Sequence, residues 1–138
     1  MKYDNDNIFA KILRGELPSI NVYEDENTLA FMDIMPQKEG HTLVIPKEPA
    51  VTLLDLSQHA AADLINKVQL VAAAVKKGLD AEGITIFQLN GTAAGQTVPH
   101  IHFHILPGSI VGANSHASKV VDDSTLNSIA DKIRAGFH

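Results

Sequence analysis

Apolar residues recur along this chain with two periods, one of three to four and one of two, and the places where the period changes predict its elements. Ile8, Phe9, Ile12 and Leu13 fall at helical spacing after Asp and Asn cap candidates, and Gly15 and Pro18 stop the run, which predicts a short first helix. "NVYED" and "TLAFMDI" are β-rich and separated by Glu26 and Asn27, the pattern of a hairpin. "HTLVIP" follows as a third strand closed by Pro46. Ser57 caps a long helix to about Leu79, because Leu64, Val68, Val71, Val75 and Leu79 recur at spacings of three and four; Gly78 and Gly83 mark its end. "ITIFQLN" then reads as a strand, "GTAAGQTVP" as a small-residue loop, and "HIHFHIL" as the strand after it. Ser124 caps a last helix with Leu126, Ile129 and Ile133 on one face. Strands gathered around one long helix predict an α+β fold on a five-stranded antiparallel sheet. Nothing repeats and no linker divides the chain, so residues 1–138 are expected to form one domain.

The alternation in "HIHFHIL" carries the chemistry. On a strand His100, His102 and His104 share one face at about 6.6 Å intervals, and Ile101, Phe103 and Ile105 share the other, suited to packing on the long helix. The imidazoles are then expected to stand out on the opposite side. Three imidazolium ions in such a row would repel their neighbours by roughly 2.5 kcal/mol at an effective dielectric of 20. At least one ring therefore stays a free base at neutral pH, available as nucleophile, base or metal ligand.

Composition narrows the choice. A formal charge of −5 provides no basic field for nucleic acid or an acidic membrane surface. The chain has no cysteine, so no disulfide framework or thiolate metal site is available. The N-terminal residues lack a sustained apolar h-region, and no window reaches the ~18 apolar residues of a membrane span, which together predict a cytoplasmic protein. Two histidines at i and i+2 can clasp zinc, with His41 as a possible third ligand, but no acidic residue lies between Ile84 and His116 to complete such a site. A nucleophile is the better reading. Gly91 and Gly95 allow close backbone approach, and Gln96 and Thr97 offer donors beside the first histidine, an arrangement suited to holding a phosphoryl group.

These residues resemble the histidine triad family of nucleotide hydrolases and transferases, whose signature is His-φ-His-φ-His-φ-φ with φ apolar. "HIHFHIL" fits at every position. The resemblance extends through "NIFAKILRGELPS", "VYEDENTLAFMDIMPQKEGHTLVIPK" and "NGTAAGQTVPHIHFHILP", from about residue 7 to 107, and points to the small nucleoside phosphoramidase branch. It implies that His102 attacks the α-phosphorus of a purine nucleoside phosphoramidate of the AMP-lysine type, and that water then cleaves the nucleotidyl-histidine. His104 would be a donor on the same phosphate, while His100 and His41 would support the row. Asp33 would hold the ribose hydroxyls, and Asn90, Gly95, Gln96 and Thr97 would surround the phosphate and leaving group. Ile8, Phe9, Phe31 and Ile34 would clamp the base. The scheme needs no cofactor and no metal, and the family implies a homodimer that binds a purine mononucleotide or nucleotide conjugate.

Two alternatives accompany this reading: a dinucleoside polyphosphate hydrolase, and a nucleotide-binding or protein-interaction module with weak catalysis. Gly108 stands after Pro107 where dinucleoside polyphosphate hydrolases often carry a basic residue, which disfavours the first. The zinc-binding cysteines of some bacterial members are absent, and so is the aromatic, proline-rich ending of the phosphoramidase branch. His59, His116 and His138 match nothing in the family and are expected at the surface.

Overall fold

The protein is described from a computed structural model covering residues 2–111 and 120–138, so His116 lies outside the described residues. Helix α1 spans Ile8–Leu13, strand β1 Asn21–Glu24, β2 Thr28–Met32 and β3 Thr42–Pro46. Helix α2 spans Gln58–Gly78, β4 Ile84–Gln88, β5 Phe103–Pro107 and α3 Asp123–Ala135; a single 3-10 turn, Thr92–Ala94, lies between β4 and β5. The strands form one antiparallel sheet in the order β1-β2-β3-β5-β4. The α+β class and five-stranded sheet are as the pattern predicts. No described helix is long and apolar enough to cross a membrane.

Several boundaries move for local reasons. Asp25 belongs to the β1–β2 turn, not to the strand, because its carboxylate accepts the backbone N–H groups of Asn27 and Thr28. Ser57 caps α2 by accepting from Ala60 N–H, as expected. The last helix is capped by Asp122, two residues before the predicted Ser124, through a bond from Thr125 N–H. Gly78 does more than end α2. A Cβ there would lie 2.1 Å from the Lys132 carbonyl oxygen, and one at Gly136 2.2 Å from that of Ala74, so the two glycines let α2 and α3 cross in backbone contact.

The two faces of the sheet are covered unequally. Ala30, Met32, Val44, Ile101 and Ile105 join the inward residues of α2 and α3 in the main core, with Phe103 packed at its edge. Among the described residues, the opposite set, Leu29, Phe31, Leu43 and Ile45, packs with Phe9 of α1 and the partly buried Ile12, Leu13 and Val98 in a small second core. The apolar half of the histidine alternation thus packs on the α2 side as predicted. The second face, thinly roofed by one helix of six residues, is where the histidines lie.

Candidate active site

The floor of the site is a row across four strands. Phe31 stands opposite Leu43, Leu43 opposite His104, and His104 opposite Phe87, so all four side chains share one face. The His104 ring lies flat on Phe87, with centroids 4.3 Å apart and planes within 7°. Phe9 descends from α1 and meets Phe31 and His102 edge-on, at centroid distances of 5.4 and 4.9 Å. The His102 and His104 ring centroids are 4.8 Å apart, and that of His41, the residue just before β3, stands 5.1 Å from His104.

Contrary to expectation, the histidines are not held out into solvent and do not lie on one continuous strand. His100, His102 and His104 retain only 0, 5 and 9% exposure, and β5 begins at Phe103. The ladder stops there for a physical reason. Extending the register of β3 and β5 by two residues would set Pro46, which has no N–H, opposite Ile101. Ile101 N–H bonds instead to the Ala50 carbonyl, and the His100 carbonyl is taken by the His102 side chain.

The hydrogen bonds fix a proton on each ring. His100 Nε2 faces the Pro46 carbonyl at 2.8 Å and so must be its N–H, leaving Nδ1 to accept from the Tyr3 hydroxyl at 2.6 Å. His102 Nδ1 faces the His100 carbonyl at 2.7 Å and carries the proton there, so its lone pair is at Nε2. His41 Nδ1 accepts from the Gln37 backbone N–H at 3.1 Å; its Nε2–H therefore donates to His104 Nδ1 at 2.9 Å. That leaves the proton of His104 on Nε2. One ring thus offers a lone pair, and its neighbour 4.8 Å away offers an N–H.

Burial keeps these rings neutral. It pulls His41 and His100 down to about 4, with the nearby His102 adding to the effect in both and the Pro46 carbonyl opposing it in His100. His104 is lowered to about 3 by burial and by His102 and His41. His102 is also lowered, mainly by burial, against an opposing bond to the His100 carbonyl. Asp33 moves the other way, up to about 6, because burial of its carboxylate outweighs the bond from Met35 N–H. Its Oδ2 approaches His41 Nδ1 at 3.5 Å, but a ring that is neutral and accepting at that nitrogen forms no ion pair.

The remaining candidates divide into exposed and committed groups. Ile8 and Ile34 are 54 and 51% exposed, available to a ligand, whereas Phe9 and Phe31 are buried core residues. Gly95, at φ 102°, and Thr97 are exposed on the loop before the histidines. The donors expected from Gln96 are used inside the protein: its amide donates to the Val51 and Val98 carbonyls while its oxygen accepts from Gly91 N–H. Burial demands this saturation, so the side chain shapes the loop and has no N–H left to aim at a phosphate. Asn90 is likewise engaged, exchanging amide bonds with Gln88 and accepting from Leu53 N–H. His59 and His138 are exposed, as expected.

Two contributors lie outside the sequence reading. Phe87 is invisible as a site residue until the β4–β5 register is known, though its alternation within "ITIFQ" places it on a face opposite Ile86. Tyr3 carries no signal at all, being 97 positions from the ring it touches.

The HIT domain family model matches residues 14–110. Adenosine 5'-monophosphoramidase hnt1 of Schizosaccharomyces pombe is 42% identical over 100 residues, covering 72% of each chain. Adenylylsulfatase HINT3 of Arabidopsis thaliana is 39% identical over 103 residues, covering 75% of this chain and 52% of that one. The crystal structure of a Hit-like protein involved in cell-cycle regulation from Bartonella henselae superposes with a TM-score of 0.90 at 47% identity, over 99% of both chains. With the triad, the sheet that carries it and more than half its length matched, the chain belongs to the HIT domain family.

Proposed function

We propose that the protein is a nucleotide hydrolase that cleaves purine nucleoside phosphoramidates of the AMP-lysine type through a nucleotidyl-histidine intermediate. The observation that carries this reading is the bond from His102 Nδ1–H to the His100 carbonyl, which leaves the Nε2 lone pair of a neutral, buried ring as the nucleophile. Nε2 attacks the α-phosphorus and the P–N bond breaks. The departing amine takes its proton from solvent, while His104 donates its Nε2–H, held at that nitrogen by the bond from His41, to an oxygen of the phosphate. Water then attacks the phosphorus, gives up a proton to solvent, and releases AMP and free His102. Relatives named adenosine 5'-monophosphoramidase and adenylylsulfatase support adenylyl transfer from a small leaving group. The test compares turnover of an adenosine phosphoramidate with that of a diadenosine polyphosphate, with chelator present. Preferential, chelator-resistant cleavage of the phosphoramidate is expected; preference for the polyphosphate would overturn the substrate assignment.

In this reading Asp33 accepts bonds from both ribose hydroxyls, and the exposed Ile8 and Ile34, with Phe9 and Phe31, enclose the base. Gly95 and Thr97 supply the phosphate side, with Asn90 and Gln96 holding that loop in place. Asp33→Ala is expected to lose more affinity for AMP than for its 2′,3′-dideoxy analogue, by roughly tenfold for hydrogen bonds to a charged group. Equal losses by calorimetry would remove Asp33 from the ribose site.

The same reading includes a homodimer. β4 is an edge strand that exposes Ile86, and α2 exposes Ile65 and Leu70, apolar surface of the kind a stable interface covers. Sedimentation at micromolar concentration is expected to give about twice the 14.9 kDa chain mass; a clean monomer would refute it.

A further inference from the structure

The phenol of Tyr3 sits against the first histidine of the triad, yet Tyr3 lies outside residues 14–110 that the family model matches. We propose that Tyr3 is a positioning residue for the nucleophile: its hydroxyl locks the His100 imidazole, and with it the His100 carbonyl that holds His102 in its reactive tautomer. The proposal rests on the nucleotidyl-histidine reading given above.

The placement of Tyr3 is built into the fold. Asn7, itself buried, accepts from Ala10 N–H to cap α1, while its side-chain amide and backbone N–H both donate to the Asp4 carbonyl. Arg14 Nη1, from the far end of the same helix, donates to the Asn5 carbonyl. Residues 4–7 are thereby folded back on α1, whose Phe9 also packs edge-on to His100 and His102. Tyr3 is carried to the His100 ring, meeting it nearly perpendicular with centroids 5.6 Å apart.

What the hydroxyl does there follows from the bonds around it. A single hydrogen bond at one ring nitrogen leaves an imidazole able to swing about that contact, whereas bonds at both nitrogens fix its plane. His100 has both, Pro46 at Nε2 and Tyr3 at Nδ1. The lock matters because His100 stands outside the ladder, which begins at Phe103. Its carbonyl is held by no strand partner. Instead it accepts the Nδ1–H of His102, and that bond alone decides which nitrogen of His102 keeps the lone pair. A carbonyl free to tilt would let the proton settle on Nε2, and the nucleophile would be lost. Phe9, which packs edge-on to the His100 ring, has no donor with which to replace Tyr3.

The test uses the full chain with 15N-labelled histidine, as wild type, Tyr3→Phe and Tyr3→Ala. Long-range 1H–15N correlation reads the tautomer of His102 without reference to activity. Rapid quenching with an adenosine phosphoramidate reads the rate at which the nucleotidyl-enzyme forms. Tyr3→Phe keeps the ring and its packing, so thermal melting is expected to remain cooperative. It is expected to populate the Nε2–H tautomer of His102 and to slow intermediate formation about three- to tenfold, the effect of one hydrogen bond, with AMP affinity unchanged. A Tyr3→Phe protein with the wild-type tautomer and rate overturns the proposal, even if Tyr3→Ala is slow, since ring packing would then account for everything. Should wild type form no nucleotidyl-enzyme, the proposed function falls, and the tautomer measurement still decides the role of Tyr3.

Discussion

His102→Ala protein is expected to fold and bind AMP, yet to form no nucleotidyl-enzyme on rapid quenching with a phosphoramidate substrate. The Nε2 lone pair of His102 is assigned by the hydrogen bond at its other nitrogen, and the protons assigned to His41, His100 and His104 leave no second ring in the row with an unengaged lone pair. His100 uses both nitrogens on Tyr3 and Pro46, and His104 accepts at one and carries its proton at the other. Losing a nucleophile removes the covalent route outright, a kcat loss on the order of 10⁴ to 10⁶. Losing a donor aimed at the transition state only slows it, by ~10² to 10³. His104→Ala is therefore expected to form the intermediate slowly. Peptide mapping of quenched wild-type enzyme decides the matter: an adenylyl group on any residue other than His102 would refute the mechanism at its central step.

The second large effect is on stability in acid. In the unfolded chain histidine titrates near 6.5, whereas folding holds His41 and His100 near 4 and His104 near 3, chiefly by burial. Between these values the unfolded chain binds more protons than the native protein, so native stability falls as pH drops from about 6.5 towards 4. Asp33 opposes this, since its carboxyl binds its proton more readily when folded, at about 6 against an ordinary carboxylate value below 4. One carboxyl is outweighed by three strongly depressed rings and the lowered His102. Because the rings are neighbours they are expected to protonate as a coupled set, and the loss between pH 7 and 4.5 should amount to several kcal/mol. Urea midpoints across that range test it. A flat profile would mean that the four rings are not held neutral by burial, and the nucleophile assignment would lose its electrostatic basis.

How much of this the sequence determined by itself depends on the range of the interaction concerned. The helices were legible because a helix repeats its apolar face every three to four residues, and Ser57 could be recognised as a cap because capping is local. The five strands were legible for the same reason, and the motif "HIHFHIL" with its surrounding segments was specific enough to point to the family. Sequence also separated the two sides of that motif: Ile101 and Ile105 lie in the main core, and the histidines face away from it.

Tertiary structure decided what the histidines are. Alternation predicted three rings standing in solvent on an unbroken strand, but the ladder ends at Phe103, and Phe9, Phe87, His41 and Tyr3 enclose the rings. Which nitrogen carries the proton of His100 and of His104 depends on partners 97, 63 and 54 positions away, at Tyr3, His41 and Pro46, and no local pattern encodes such pairings; the proton of His102 is set by the carbonyl two positions before it, but only because the fold takes His100 out of the ladder. The same holds for Gln96, whose polar side chain in a loop suggested a ligand donor until its burial against Val51, 45 positions distant, showed its bonds already used. Periodicity reports which face of an element is apolar. The chemistry of a buried polar group is set by whatever the fold brings against it, because away from water each donor and acceptor must find its partner within the protein.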